Sequence, residues 1–287
     1  MKTPEFFLIF SMLIMMCGCT TEKITSIQSS DDVTIKFDNI GKGNPAIIFV
    51  HGWANNRTIW DTQVKYFSKN HQVIAVDLPG FGESGDNRMD WTMEAFGEDI
   101  SKIIKDLKLK QVVLVGFSMG APVVIEAAKL SPDQTIGVVL VDDIQDIEFK
   151  ITPEFAHFID SMMIDLIEST TVDKLVQGGF FRNNVDSSYQ RVLKFLDRDS
   201  RIGWRESLAG YMNWYNNNCT NSVKSVKAPI IAINSDQQPT NIEAFRKYAP
   251  TFEVKIVHNV GHVIMWDNTE EFNRLLEESI QEFLNHK

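Results

Sequence analysis

Near-continuous apolar runs constrain this chain more than any other feature. They are AIIFV at 46–50, QVVLV at 111–115, IGVVLV at 136–141 and PIIAI at 229–233. A strand wetted on one side alternates apolar with polar residues, whereas an unbroken run is covered on both faces. QVIAV at 72–76 and FEVKIV at 252–257 extend the series, and VTIKF at 33–37 alternates as a half-buried strand does. Helix-like segments fall between them, near 58–69, 92–108, 119–130, 240–249 and 269–285. The last spaces Phe272, Leu275, Leu276, Ile280, Phe283 and Leu284 along one face, behind an acidic first turn. Strand and helix in alternation, with short joins, predict an α/β fold with a mostly parallel central sheet and helices on both faces.

The rhythm breaks between 145 and 226. TPEFAHFIDSMMIDLIESTTVDKLVQGGFFRN and SSYQRVLKFLDRDSRIGWRESLAGYMNWYNN are amphipathic and hold no buried-strand run. The expected organisation is a core of residues 31–144 and 227–287, with a helical cap of residues 145–226 over one end of the sheet. Most aromatic and Met side chains of such a cap are packing; some face a pocket if it is a lid.

The first nineteen residues, MKTPEFFLIFSMLIMMCGC, form a separate unit. Lys2 precedes an apolar run from Phe6 to Met16, too short for a membrane span but suited to a signal peptide. The ending MMCGC resembles a bacterial lipoprotein signal with Cys19 as the lipidated residue, which predicts export to the cell envelope and a membrane attachment by lipid alone. Plain secretion and a retained anchor are the alternatives. Residues 20–30, TTEKITSIQSS, read as a linker. Of the three cysteines only Cys219 lies beyond this leader, so neither a disulfide framework nor a Cys-rich zinc site can be built; an inert thiol is its reading. A net charge of −10 with no basic block argues against a nucleic-acid partner.

Ser118 sits in GFSMG, between the apolar strand run and an alanine-rich helical segment. A strand, a tight turn and a helix form the setting that gives G-x-S-x-G its meaning: the turn strains its central residue and lifts the hydroxyl above the sheet. Gly116 and Gly120 keep the neighbouring chain clear. Without that setting the serine would be an ordinary loop residue. A serine hydroxyl needs a base. His262, in VHNVGHVIMWD, lies on a late loop at the same sheet end; His258 is its competitor, closer to the strand. The N–H of Met119, after the nucleophile, and that of Trp53, in HGWANNRTIW, are the candidate oxyanion donors, with His51 as a structural residue that ties the loop.

HGW at 51–53, DLPGFGES at 77–84, GFSMG at 116–120 and GH at 261–262 occur in the order found in the α/β-hydrolase fold family, which the chain resembles over nearly all of 31–286. The resemblance implies a mixed sheet, a cap inserted after the sixth strand, and a Ser–His–acid triad containing Ser118 and His262. Asp77 and its neighbouring glycines would be turn chemistry. The acid departs from the family pattern. Members usually carry it in a G-x-x-D context after the seventh strand; here Asn234 replaces the glycine, Asp236 comes one residue early and Gln237 stands where the aspartate is expected. Other members place it after the sixth strand, the position of Asp142, where many relatives carry a non-catalytic Asp. Both stay open, Asp236 slightly preferred, and Asp143 is expected to point away by strand alternation. The reading is a serine esterase for a small-molecule acyl substrate, needing no metal or organic cofactor. Serine at the elbow argues against dehalogenase and epoxide-hydrolase chemistry. Alternatives are a C–C, amide or thioester hydrolase of the same fold, a ligand-binding protein that has lost turnover, or a purely structural lipoprotein.

Overall fold

The apolar runs become the strands of one eight-stranded sheet in the computed structural model, which describes residues 24–159, 161 and 201–286. The strands are β1 (Ile24–Gln28), β2 (Thr34–Ile40), β3 (Ala46–Val50), β4 (Val73–Val76), β5 (Val112–Phe117), β6 (Thr135–Val141), β7 (Ile230–Ser235) and β8 (Glu253–Val257). Their order is β1-β2-β4-β3-β5-β6-β7-β8. From β4 to β8 every pairing is parallel; β1–β2 and β2–β4 are antiparallel. The unalternated runs are buried along their whole length in β3, β4, β5 and β7, as expected for strands covered on both faces.

One expectation is corrected here. Residues 24–28, read as part of a linker, pair with β2 in a hairpin, with Ile27 opposite Ile35. The segment has too few apolar residues to announce a strand. The return turn at 29–33 supplies it: the Ser29 hydroxyl accepts the Val33 N–H at 2.7 Å, and the Ser29 N–H donates to the Val33 carbonyl. Residues 1–23, which carry the leader and Cys19, lie outside the described residues, as do 160 and 162–200 of the expected cap.

Side-chain alternation along the strands divides the core into two layers. Ile47, Phe49, Val113, Val115 and Phe117 face one side, where a 3-10 turn (Arg57–Trp60), α1 (Asp61–Phe67) and the C-terminal helices cover them. Ile48, Val50, Val112 and Leu114 face the other, under α2 (Met93–Asp106) and α3 (Gly120–Leu130). Helix α2 buries Phe96, Ile100, Ile103 and Ile104 at helical spacing and starts where the Thr92 hydroxyl accepts the Ala95 N–H.

After β6 the chain leaves the sheet. Residues 153–159 are helical, and the cap resumes in α4 (Arg201–Asn217) and α5 (Cys219–Ser225) before the chain returns to β7. Then follow α6 (Ile242–Arg246), α7 (Ile264–Asp267) and α8 (Thr269–Asn285). The described helices of the expected cap pack on the core: α5 seats on α3, where the Glu126 carboxylate accepts from the Trp214 indole of α4 at 2.7 Å and the Ser222 hydroxyl at 2.6 Å.

Candidate active site

Ser118 follows β5 with φ of +49°, a left-handed conformation that a side chain makes costly. The strand runs two residues past Val115, so the turn occupies only Ser118 and Met119 before α3 begins. Two backbone bonds hold it: the Ser118 N–H donates to the Val141 carbonyl at 3.0 Å, and its own carbonyl accepts the Ala121 N–H at 2.7 Å. The flanking glycines are required by close approach. A Cβ on Gly116 would lie 2.2 Å from the Gly120 carbonyl oxygen, and one on Gly120 would lie 2.6 Å from that of Val50. The half-buried Ser118 lines a pocket of about 360 Å³ with Trp53, Met119, Asp142 and His262.

His262 enters from the loop between β8 and α7. Its ring lies 4.8 Å from the Phe117 ring, next to Ser118 in sequence, and the loop is pinned where the Gly261 N–H donates to Asp267 at 2.6 Å. Nδ1 of His262 is 2.7 Å from Oδ2 of Asp142. With Nδ1–H directed at a carboxylate, Nε2 is the basic nitrogen. Asp142 also has a left-handed backbone, φ +49°, and its other oxygen accepts the Ser235 N–H at 2.7 Å. One carboxylate oxygen is thus directed by the end of the neighbouring strand β7 and the other by the imidazole of the β8–α7 loop.

Of the two candidate acids, Asp142 carries the 2.7 Å contact to His262. Asp236 lies on the exposed side of the β7 turn, where both its oxygens accept the Asn259 N–H at 3.1 Å and one lies 3.5 Å from Nδ1 of the exposed His258. Asp143 also departs from expectation: it lines the pocket instead of pointing away. Alternation lapses at Asp142, because positive φ at Asp142 and again at Ile144 (+53°) re-aims the chain.

The remaining loops act as supports. His51 is buried: its Nε2 accepts the Leu78 N–H at 3.0 Å and its Nδ1 donates to the Gly52 carbonyl at 2.7 Å. Burial pushes its pKa down to about 4, so the ring is neutral. Asp77 accepts the N–H groups of Arg57 (2.7 Å) and Glu83 (2.9 Å) and pairs with the Arg57 guanidinium, which is turn chemistry as expected. Trp53 walls the pocket, and its indole N–H donates to the Trp204 carbonyl of α4 at 2.6 Å. Gln145, Leu208, Tyr211, Gln237 and Gln238 also line the pocket. No sequence motif marks them, because they meet only when cap and strand ends fold together. Cys219 is buried, and burial pushes its thiol up to about 12.

The comparisons with known proteins agree with this architecture. The esterase of Exiguobacterium antarcticum superposes with a TM-score of 0.77 at 18% identity, over 90% of this chain and 99% of its own. Pimeloyl-[acyl-carrier protein] methyl ester esterase of Legionella pneumophila (strain Corby) is 24% identical over 268 residues, 87% of this chain and 100% of the relative. Two further relatives are more similar over shorter stretches. The AB hydrolase superfamily protein YisY of Bacillus subtilis is 34% identical over 34% of this chain. (E)-2-((N-methylformamido)methylene)succinate hydrolase of Acinetobacter baylyi is 32% identical over 38% of it. Those stretches span 37% and 41% of the two relatives' lengths. The model of the alpha/beta hydrolase family matches residues 47–275, from β3 into α8, and takes in both the serine turn and the histidine loop: the chain belongs to the alpha/beta hydrolase family.

Proposed function

We propose that this chain is a serine hydrolase that cleaves a small ester-like acyl substrate through a Ser118–His262–Asp142 triad. The observation that carries the reading is the 2.7 Å contact from Asp142 to His262 in the pocket that holds the strained Ser118. In this reaction Nε2 of His262 takes the Ser118 proton as the hydroxyl oxygen attacks the carbonyl carbon. The N–H groups of Trp53 and Met119 receive the oxyanion, and the imidazolium, steadied by Asp142, protonates the leaving alcohol. Water then enters and the same steps in reverse release the acid. The Acinetobacter relative named as a hydrolase of a formamido compound supports a second reading, in which the same groups cut an amide-type bond.

The test is hydrolysis of p-nitrophenyl acetate and butyrate, together with labelling by a fluorophosphonate. The expected result is turnover and a single adduct on Ser118, with turnover reduced by about 10³ or more in Ser118→Ala. A folded protein that neither turns over nor labels would favour a binding role.

For the leader we propose lipid attachment at Cys19 and residence in the cell envelope. Incorporation of an alkyne fatty acid, lost in Cys19→Ala, is the expected outcome; a secreted unlabelled chain would overturn it.

A further inference from the structure

Asp143 is a carboxyl in the pocket that the proposed reaction does not use. It stands next to Asp142 at the end of β6 and is 8% exposed. Its Oδ1 accepts the Ile144 N–H at 2.9 Å and the Tyr211 hydroxyl at 2.8 Å. Its Oδ2 is buried and, among the described residues, has no hydrogen-bond partner. Few buried oxygens in folded proteins are left so, and a carboxylate left so is costly. His262 and Asp142 face Asp143 from the sheet side and Tyr211 from the cap; Tyr215 and Cys219 act on it from α4 and α5. Of these, His262 is already paired with Asp142. Tyr211 donates its one proton to Asp143, so its oxygen offers lone pairs only. Burial pushes Asp143 up to about 7, which leaves it mostly ionised at pH 8.

We propose that Asp143 is a specificity residue that pairs with a hydrogen-bond donor on the acyl chain of the substrate, an ammonium above all. The inference rests on the reading of this pocket as the acyl site. An ammonium would supply both the missing donor and the missing counter-charge. An alkyl group would leave Oδ2 unmet, and a second carboxylate would meet Asp142 and Asp143 together. The terminal torsion of a carboxyl is broad, so its plane can tilt to present Oδ2 to the ligand while Oδ1 keeps the Ile144 N–H. Tyr211 acts as a positioning residue that holds the carboxyl from the cap side.

The test separates selection from turnover. In Ser118→Ala protein, which binds without reacting, dissociation constants are measured by calorimetry at pH 8 for three matched esters: methyl butanoate, methyl 3-aminopropanoate and monomethyl malonate. The amino ester is expected to bind about tenfold or more tighter than the neutral ester, in keeping with a hydrogen bond between charged groups, and the malonate weakest. Adding Asp143→Asn, or Asp143→Ser should the first variant fail to melt cooperatively, is expected to bring the amino-to-neutral ratio to within about threefold of unity. An amino ester that binds no tighter than its neutral counterpart, or a preference that survives loss of Asp143, overturns the inference. Failure of the hydrolase reading shows elsewhere, as absent wild-type turnover and absent fluorophosphonate labelling, and leaves this ratio readable.

Discussion

Ser118 and Asp142 share a backbone conformation that side chains disfavour, and each is the first residue beyond its strand. Strain of this kind costs on the order of 1–3 kcal/mol per residue and persists where the surroundings over-determine it. At Ser118 the determinants are the two glycines and two backbone bonds; at Asp142 they are the Ile233 carbonyl, which accepts its N–H at 3.0 Å, and the Ser235 N–H. Gly120→Ala should therefore lower stability by about 1–3 kcal/mol, read as a shifted denaturation midpoint, because its new methyl has only backbone to meet. Asp142→Asn should lower kcat by about 10⁴, while Asp236→Asn stays within about threefold; equal effects of the two would refute the acid assignment. The proposed nucleophile and base, Ser118 and His262, were legible in the sequence because each sits in a short motif on the chain that follows a strand. The proposed acid was not. Its choice depended on which strand end reaches the imidazole, and the alternation rule used to set Asp143 aside fails where φ turns positive.

Among the elements, the cap is tied down by a polar cluster set into an apolar layer. Glu126, 2% exposed on α3, gathers the Trp214 indole, the Ser222 hydroxyl and the Lys129 ammonium, the last at 2.6 Å. The Trp53–Trp204 contact forms a second tie, beside the pocket. Trp214→Phe removes one donor from a carboxylate that keeps two others, so the expected loss is about 1–3 kcal/mol, measured by urea unfolding. Glu126→Ala should cost more, since it strands the indole and hydroxyl donors together. The long strands and helices were readable because their periods are strong; α8 spans the residues foreseen, 269–285. Two short elements were not. Strand β1 owes its form to pairing with β2, and α7 is a single turn, Ile264–Asp267, shaped by the packing of Ile264 and Met265.

Taken as a whole, the molecule buries acids that ionise reluctantly. Burial pushes Asp99 up to about 7, although Arg88 approaches it at 2.8 Å without the alignment of a hydrogen bond, and Asp143 up to about 7 as well. Both start from an ordinary value of 3.8. Between about pH 4 and 7 the folded chain then holds protons at these sites that the unfolded chain releases, so their stabilising contribution is full at low pH and fades as pH rises. Asp99→Asn and Asp143→Asn should each raise the melting temperature relative to the parent by an amount that grows from pH 4 to pH 7. A constant offset across that range would contradict the shifts.

Strands β5 and β6 are parallel neighbours in which Phe117 pairs with Val141. The proposed nucleophile and acid, Ser118 and Asp142, consequently leave two adjoining rails at the same level, and the hydrogen-bond ladder itself sets the gap between them. One residue inserted between Val141 and Asp142 would slide the carboxylate off its partner. In the proposed triad the turn beyond β7 carries no member, so it can lengthen or change its glutamines and thereby retune what the pocket admits while Ser118, His262 and Asp142 stay in place.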